Sequence, residues 1–114
     1  MTNSKQFLNK IVTVKIDRPI GSKHSEKYPN TIYPINYGYV PNTISADNEE
    51  LDCYVLGIDE PLDSFTGKCI AIIHRIKDND DKLIVVPKNQ NFSNKQIRSL
   101  TNFIERFFES IIIR

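Results

Sequence analysis

The spacing of apolar positions changes once along the chain. Up to about residue 87 they come in short β-branched runs separated by Pro, Gly, Asn and Asp. After Ser93 they recur at helical spacing. IVTVKID, residues 11–17, alternates and predicts a strand that Pro19 and Gly21 end. Residues 18–24 read as a turn carrying Arg18, Lys23 and His24, and residues 25–30 as a polar surface loop. Residues 31–40 are aromatic-rich but interrupted by Pro34 and Gly38. Proline cannot donate to a sheet ladder, so this predicts an edge strand or two short pieces. DCYVLGI (52–58), KCIAIIHRI (68–76) and KLIVV (82–86) predict three more strands, the second of them central, with KDNDD (77–81) as the turn between the last two. Ser93 predicts an N-cap for a helix running to about residue 110. Its apolar stripe of Ile97, Leu100, Ile104 and Phe107 reads as core packing, with residues 111–113 as a short docking tail. About five short strands and one C-terminal helix predict a mainly β or α+β domain. It is either a small five-stranded OB-like barrel with the helix packed against it, or a sheet covered by the helix.

The 114 residues suffice for one domain with a modest core, and we expect a single domain over 1–114. A formal net charge of +1 gives no footing for a nucleic-acid tether. The aromatics adjoin acids, whereas a single-strand binder needs a basic groove interleaved with aromatics. No apolar run reaches the ~20 residues needed to span a bilayer, and the start, MTNSKQFLNK, has no apolar leader core. The expectation is a cytoplasmic protein without membrane or nucleic-acid partners. Cys53 and Cys69 are too few for a disulfide framework and read as buried free thiols.

The stretch 32–52, IYPINYGYVPNTISADNEELD, concentrates the chemistry. Tyr33, Tyr37 and Tyr39 lead into Asp47, Glu49, Glu50 and Asp52, with no base among the four acids. Such a cluster is tolerated either in a solvated loop or around a cation. A second acidic group is Lys77-Asp78-Asn79-Asp80-Asp81-Lys82. Strand alternation would place Asp78, Asp80 and Lys82 on one face, while the same residues also make a good hairpin turn.

YPINYGYVPNTISADNEELD resembles the central segment of the family I soluble inorganic pyrophosphatases, roughly YPxNYGYIPxTxxxDGDPxD, in a shortened form that covers about residues 12–110. The resemblance implies the OB-like barrel with external helix, and hydrolysis of inorganic diphosphate by a metal-activated water. Implied cofactors are several Mg²⁺ ions, with Mn²⁺ as a substitute. Implied partners are inorganic diphosphate or a similar phosphoanhydride, and a homo-oligomer. The chemistry has matching needs. An anionic substrate wants hard cations held by oxygen ligands, a carboxylate to take the proton of the attacking water, and Lys, Arg and Tyr to hold outer phosphate oxygens.

Carried onto this chain, the resemblance makes Asp47, Asp52, Asp78, Asp80 and Asp17 metal ligands. It makes Glu49 the general base, with Tyr37 beside it. Lys82, Tyr33, Arg18 and Lys23 become substrate-binding residues. The chain also departs from the pattern. Glu49 stands where the family has Asp, and Asn48 replaces a glycine that the left-handed backbone favours, although Asn tolerates that conformation. An N-terminal hairpin with its phosphate-binding arginine has no counterpart. The family's C-terminal Tyr-Lys pair becomes Phe107-Phe108. Each lost charged hydrogen bond is worth about 1.5–3 kcal/mol. The sequence therefore supports a diphosphatase, and as alternatives a hydrolase of another small phosphoanhydride or a shortened homologue that binds metal and a phosphorylated ligand without turnover.

Overall fold

The computed structural model describes residues 2–25, 28–45 and 48–114. Among these residues a short 3-10 helix (Ser4–Phe7) is followed in order by eight strands and one α-helix: β1 (Ile11–Arg18), β2 (Lys23–Ser25), β3 (Tyr28–Ile32), β4 (Asn36–Val40), β5 (Leu51–Val55), β6 (Ser64–Arg75), β7 (Asp80–Val86), α1 (Asn94–Glu105) and β8 (Ser110–Ile113). The strands β1-β4-β5-β7-β6 lie side by side, and β6 returns to pair with β1, so five strands close into a barrel. The OB-like barrel with a C-terminal helix is thus the observed architecture.

The long strand β6 makes closure possible. One of its edges pairs antiparallel with β7 over residues 68–75. Its other edge is shared, with Ser64–Lys68 against β1 and Ile72–Arg75 against β8. The isoleucines after the helix are therefore a sheet strand, not merely a docked tail. β5 pairs with β7 in parallel, with the whole of β6 as the crossover. Pro34 divides the aromatic segment into β3 and β4, the two-piece outcome. The stretch expected as turn and surface loop instead forms the small hairpin β2–β3.

Alternation assigns two faces. Val12, Val14, Ile16, Val40, Cys53, Val55, Leu83 and Val85 point into the barrel. Tyr54, Ile73, Ile84 and Val86 point outward under α1, where Ile97 meets them. This explains why KLIVV reads as a continuous apolar run, since both of its faces are covered. Both thiols are buried and free, and burial pushes that of Cys69 up to about 11. Ser93 caps α1 through a reciprocal capping box with Gln96. The helix stops at Glu105, a turn earlier than its apolar period suggests. Phe107 consequently leaves the packed stripe and stands exposed at 53%.

β1 and β4 approach very closely at Gly38, where an added Cβ would lie 1.9 Å from the Lys15 carbonyl oxygen. No side chain fits between these backbones. Gly38→Ala is expected to cost roughly 3 kcal/mol or more, read as a lower urea midpoint at unchanged m-value. An unchanged midpoint would mean that the two strands do not pack this closely.

Candidate active site

The outward face of the barrel gathers most of the candidate residues. With a period of two, Tyr37 and Tyr39 on β4, Asp52 and Tyr54 on β5, Asp80 and Lys82 on β7 and Arg75 on β6 all take the phase opposite to the core residues. The register sets Tyr39 opposite Asp52, Asp52 opposite Lys82, and Asp80 opposite Arg75. A register shift in the β1–β4 ladder falls at Asp17, a device that re-aims one side chain near a sheet edge.

Lys82 is the centre of the arrangement. It is only 4% exposed, and its Nζ donates to Asp52 Oδ2 at 2.5 Å and contacts Asp80 Oδ2 at 2.9 Å. A buried ammonium is strongly unfavourable unless paired, and two carboxylates pair it here. Asp52 also accepts a hydrogen bond from the Tyr37 hydroxyl. Burial, and then the Asp52 charge, push that hydroxyl well above the usual tyrosine range. The Tyr33 hydroxyl hydrogen-bonds His24 Nδ1 at 2.9 Å, and burial pushes it up to about 12. Its ring lies 5.5 Å from that of Tyr37 and edge-on to Phe103. Asn36, fully buried, accepts from the backbone N–H groups of Ile20 and Leu62 and donates to the Glu60 carbonyl. It thereby fixes the start of the strand that carries Tyr37.

The carboxylates converge from three strands. The carboxyl of Asp17 is raised, first by partial shielding from water, with Asp52 and Glu50 repelling its charge and Arg18 opposing the shift. Asn48 takes the left-handed backbone that the turn requires, with φ of 67°, and the turn is closed by Ser45 N–H donating to the Glu49 carbonyl at 2.7 Å. Glu49 is exposed on that loop. Asp47 lies outside the described residues.

The sequence-predicted residues are therefore only partly assembled. Asp52, Asp80, Lys82, Tyr33 and Tyr37 come together, with Asp17 at their edge. Asp78 does not join the face of Asp80 and Lys82. The strand begins only at Asp80, and Asp78 sits exposed in the hairpin turn beside Asn79, whose φ is 49°. Arg18 and Lys23 are exposed, and Arg18 donates to the neighbouring Asp17 carbonyl.

One side chain lining this face went unread in the sequence. Arg75 ends the central apolar run and reads there only as the polar end of a strand. In the fold its guanidinium grips Glu105 through Nε–Oε1 at 3.1 Å and Nη2–Oε2 at 2.6 Å, while Tyr54 donates to the same carboxylate at 2.6 Å. Burial works against the Arg75 charge, and the hydrogen bonds and charge of Glu105 outweigh it, so the guanidinium is held protonated. A cavity of about 140 Å³ opens between Arg75, Lys82, His24 and the two tyrosines, with Ile104, Phe107 and Phe108 as its apolar wall. Nitrogen donors and phenol hydroxyls facing one small space, with two carboxylates paired to its lysine, suit an anion bridged by a cation.

Comparison with known proteins gives the family. The family model "Inorganic pyrophosphatase" matches residues 13–112. The chain is 33% identical over 108 residues to an inorganic pyrophosphatase of Saccharolobus solfataricus, covering 84% of this chain and 59% of that protein. It is 32% identical over 106 residues to soluble inorganic pyrophosphatase 3 of Arabidopsis thaliana, covering 84% of this chain and 46% of the relative. The chain thus spans about half the length of the curated relatives it matches. The crystal structure of the inorganic pyrophosphatase from Ehrlichia chaffeensis shares the fold, with a TM-score of 0.67 at 17% identity over 90% of this chain and 84% of that one. On this sequence match, and on the fold that carries it, the chain belongs to the inorganic pyrophosphatase family.

Proposed function

We propose that the protein hydrolyses inorganic diphosphate to two phosphates with the help of a hard divalent cation, Mg²⁺ before others. The observation that carries this reading is the buried Lys82 ammonium held between Asp52 and Asp80, next to the Tyr37 hydroxyl, on the face that opens into the cavity.

The donor set suits such a cation. All the acids are oxygen ligands, and the mutual repulsion felt at Asp17 is what a cation would relieve. Among the described residues no three acids, histidines or cysteines are close enough to hold an ion alone. Mg²⁺ is commonly held by one or two carboxylates together with substrate phosphates and water, so Asp52 and Asp80 with the substrate meet its needs. Asp17, and Asp47 beyond the described residues, are the further ligands we assign. Bound there, the ion would offset substrate charge and acidify a water.

The chain's own residues do the remainder. Glu49 receives the proton of the attacking water. Tyr37 positions Asp52 through its hydrogen bond. Lys82 and Tyr33 hold phosphate oxygens at the cavity floor, and Arg18 and Lys23 add positive charge from the rim. A second reading, binding without turnover, draws on the position of Asp78 in the turn, away from the other acids.

Purified protein given diphosphate and Mg²⁺ should release phosphate, and EDTA should abolish release. Asp52→Asn should lower kcat/KM at least about a hundredfold, the scale of losing about 3 kcal/mol of transition-state stabilisation. Silence of the wild type, with diphosphate binding still measurable by calorimetry, would favour the second reading.

A pH effect follows from His24. Burial, then the charges of Arg18 and Arg75, lower its pKa below the ordinary histidine value. A histidine with a lowered folded-state pKa contributes stability that is present above that ordinary value of about 6.5. The contribution is lost as pH falls through the folded-state value. Wild-type stability in urea should thus drop more steeply than that of His24→Gln as pH is lowered below 6.5. Parallel curves would show that His24 ionises as freely in the folded chain as in the unfolded one.

A further inference from the structure

Two consecutive phenylalanines stand at the mouth of the cavity, where core packing does not require them. Phe107 is 53% and Phe108 36% exposed. Neither ring can hold a phosphate. Arg75 lies over the ring of Phe108 at 3.6 Å from its centroid, so the guanidinium and the aromatic surface form one continuous wall. With Nε and Nη2 committed to Glu105, Nη1 makes no hydrogen bond among the described residues.

The wall has two sides. Arg75, Phe107 and Phe108 line the cation-rich cavity of about 140 Å³, and the same three residues line a second cavity of about 250 Å³. The second one is completed by Lys77, Asp78 and Glu109. The two cavities thus share one wall, and beyond the rings lies a space rimmed by an ammonium and two carboxylates. Inorganic diphosphate would use the first cavity alone and leave the aromatic wall untouched.

We propose that the preferred substrate is a nucleoside diphosphate, with its phosphates on Arg75 and Lys82 and its base against Phe107 and Phe108. The proposal rests on the reading of this face as a phosphoanhydride site. A heteroaromatic base fits better than an aliphatic tail because the second cavity offers donors and acceptors at the level of the rings, which a hydrocarbon would have to desolvate. Arg75 becomes a specificity residue that joins the phosphate end of the site to the stacking end. In the reaction, water oxygen bonds to the terminal phosphorus as the bond from that phosphorus to the bridging oxygen breaks. The bridging oxygen leaves with its electron pair on the nucleoside monophosphate, and the water proton passes to a site carboxylate. The products are a nucleoside monophosphate and phosphate, with water the only co-reactant.

The test compares kcat/KM for ADP, inorganic diphosphate and geranyl diphosphate with Mg²⁺, in the wild type, Phe107→Ala and Phe107→Tyr. Calorimetric affinities for ADP and diphosphate are measured alongside. We expect ADP to be used at least as efficiently as diphosphate. Phe107→Ala should lower the ADP-to-diphosphate ratio about tenfold or more, the scale of one base-on-ring stack, and Phe107→Tyr should keep it. Good diphosphate hydrolysis with a ratio unmoved by Phe107→Ala would overturn this proposal and leave the diphosphatase reading intact. Preference for geranyl diphosphate would overturn the base assignment. If nothing is hydrolysed, tighter calorimetric binding of ADP than diphosphate, weakened by Phe107→Ala, sustains the site and rejects turnover. Equal or weaker ADP binding rejects the site.

Discussion

A buried ammonium between two carboxylates governs the outer face of this barrel. Lys82 lies beside Ile73 and Ile84, and a charge in such apolar surroundings is costly without partners. The parallel pairing of β5 and β7 supplies one partner directly across the ladder, Asp52. The strand's own period supplies the other two residues back, Asp80. Register, not loop conformation, thus sets the charge arrangement. A slip of one residue would send Lys82 into the barrel among Cys53, Leu83 and Val85. Tyr37 and Asp17 are then arranged around a carboxylate whose place is already fixed.

A second buried charge decides how the chain leaves the site. Glu105 is 5% exposed and serves Arg75 and Tyr54 at once, from the last residue of α1. Removing one partner of such a network leaves an uncompensated charge, at a cost of about 3–5 kcal/mol. The helix is therefore anchored to β5 and β6 by its final turn. The chain turns away immediately afterwards, with Phe107 and Phe108 on the turn and β8 joining the far edge of β6. The exposure of the two rings is a consequence of that anchor.

Much of this was readable from residue types. Period-two runs gave the barrel strands, Pro34 the break between β3 and β4, and Ser93 the helix start. The Tyr-rich segment with its acids gave Tyr33, Tyr37 and Asp52, and the family resemblance together with strand alternation gave Asp80 and Lys82. What stayed hidden depends on contacts distant in sequence. Arg75 and Glu105 meet only when β6 and α1 are packed, and a charged residue at a strand end is usually just solvated. Asp78 was misplaced because alternation was extended into a turn that Asn79 closes with a positive φ. The helix end was overrun for a related reason. Phe107 keeps the apolar period, and periodicity does not register the electrostatic anchor at Glu105. The β2–β3 hairpin was missed because its strands are short and polar.

The pairing of β1 with β6 also has a consequence in time. Ile11 to Lys15 meets Lys68 to Ser64, so the seam of the barrel joins segments separated by roughly fifty residues, a large loop to close. During synthesis at about 5–20 residues per second, β1 pairs first with β4 and waits on the order of 3–10 s for this second partner to emerge. Throughout that interval Val12, Val14 and Ile16 belong to a barrel that is not yet closed. The nascent chain is thus most vulnerable to misassociation between the emergence of its first strand and of its sixth, and a chaperone that shelters short alternating strands would act in that window.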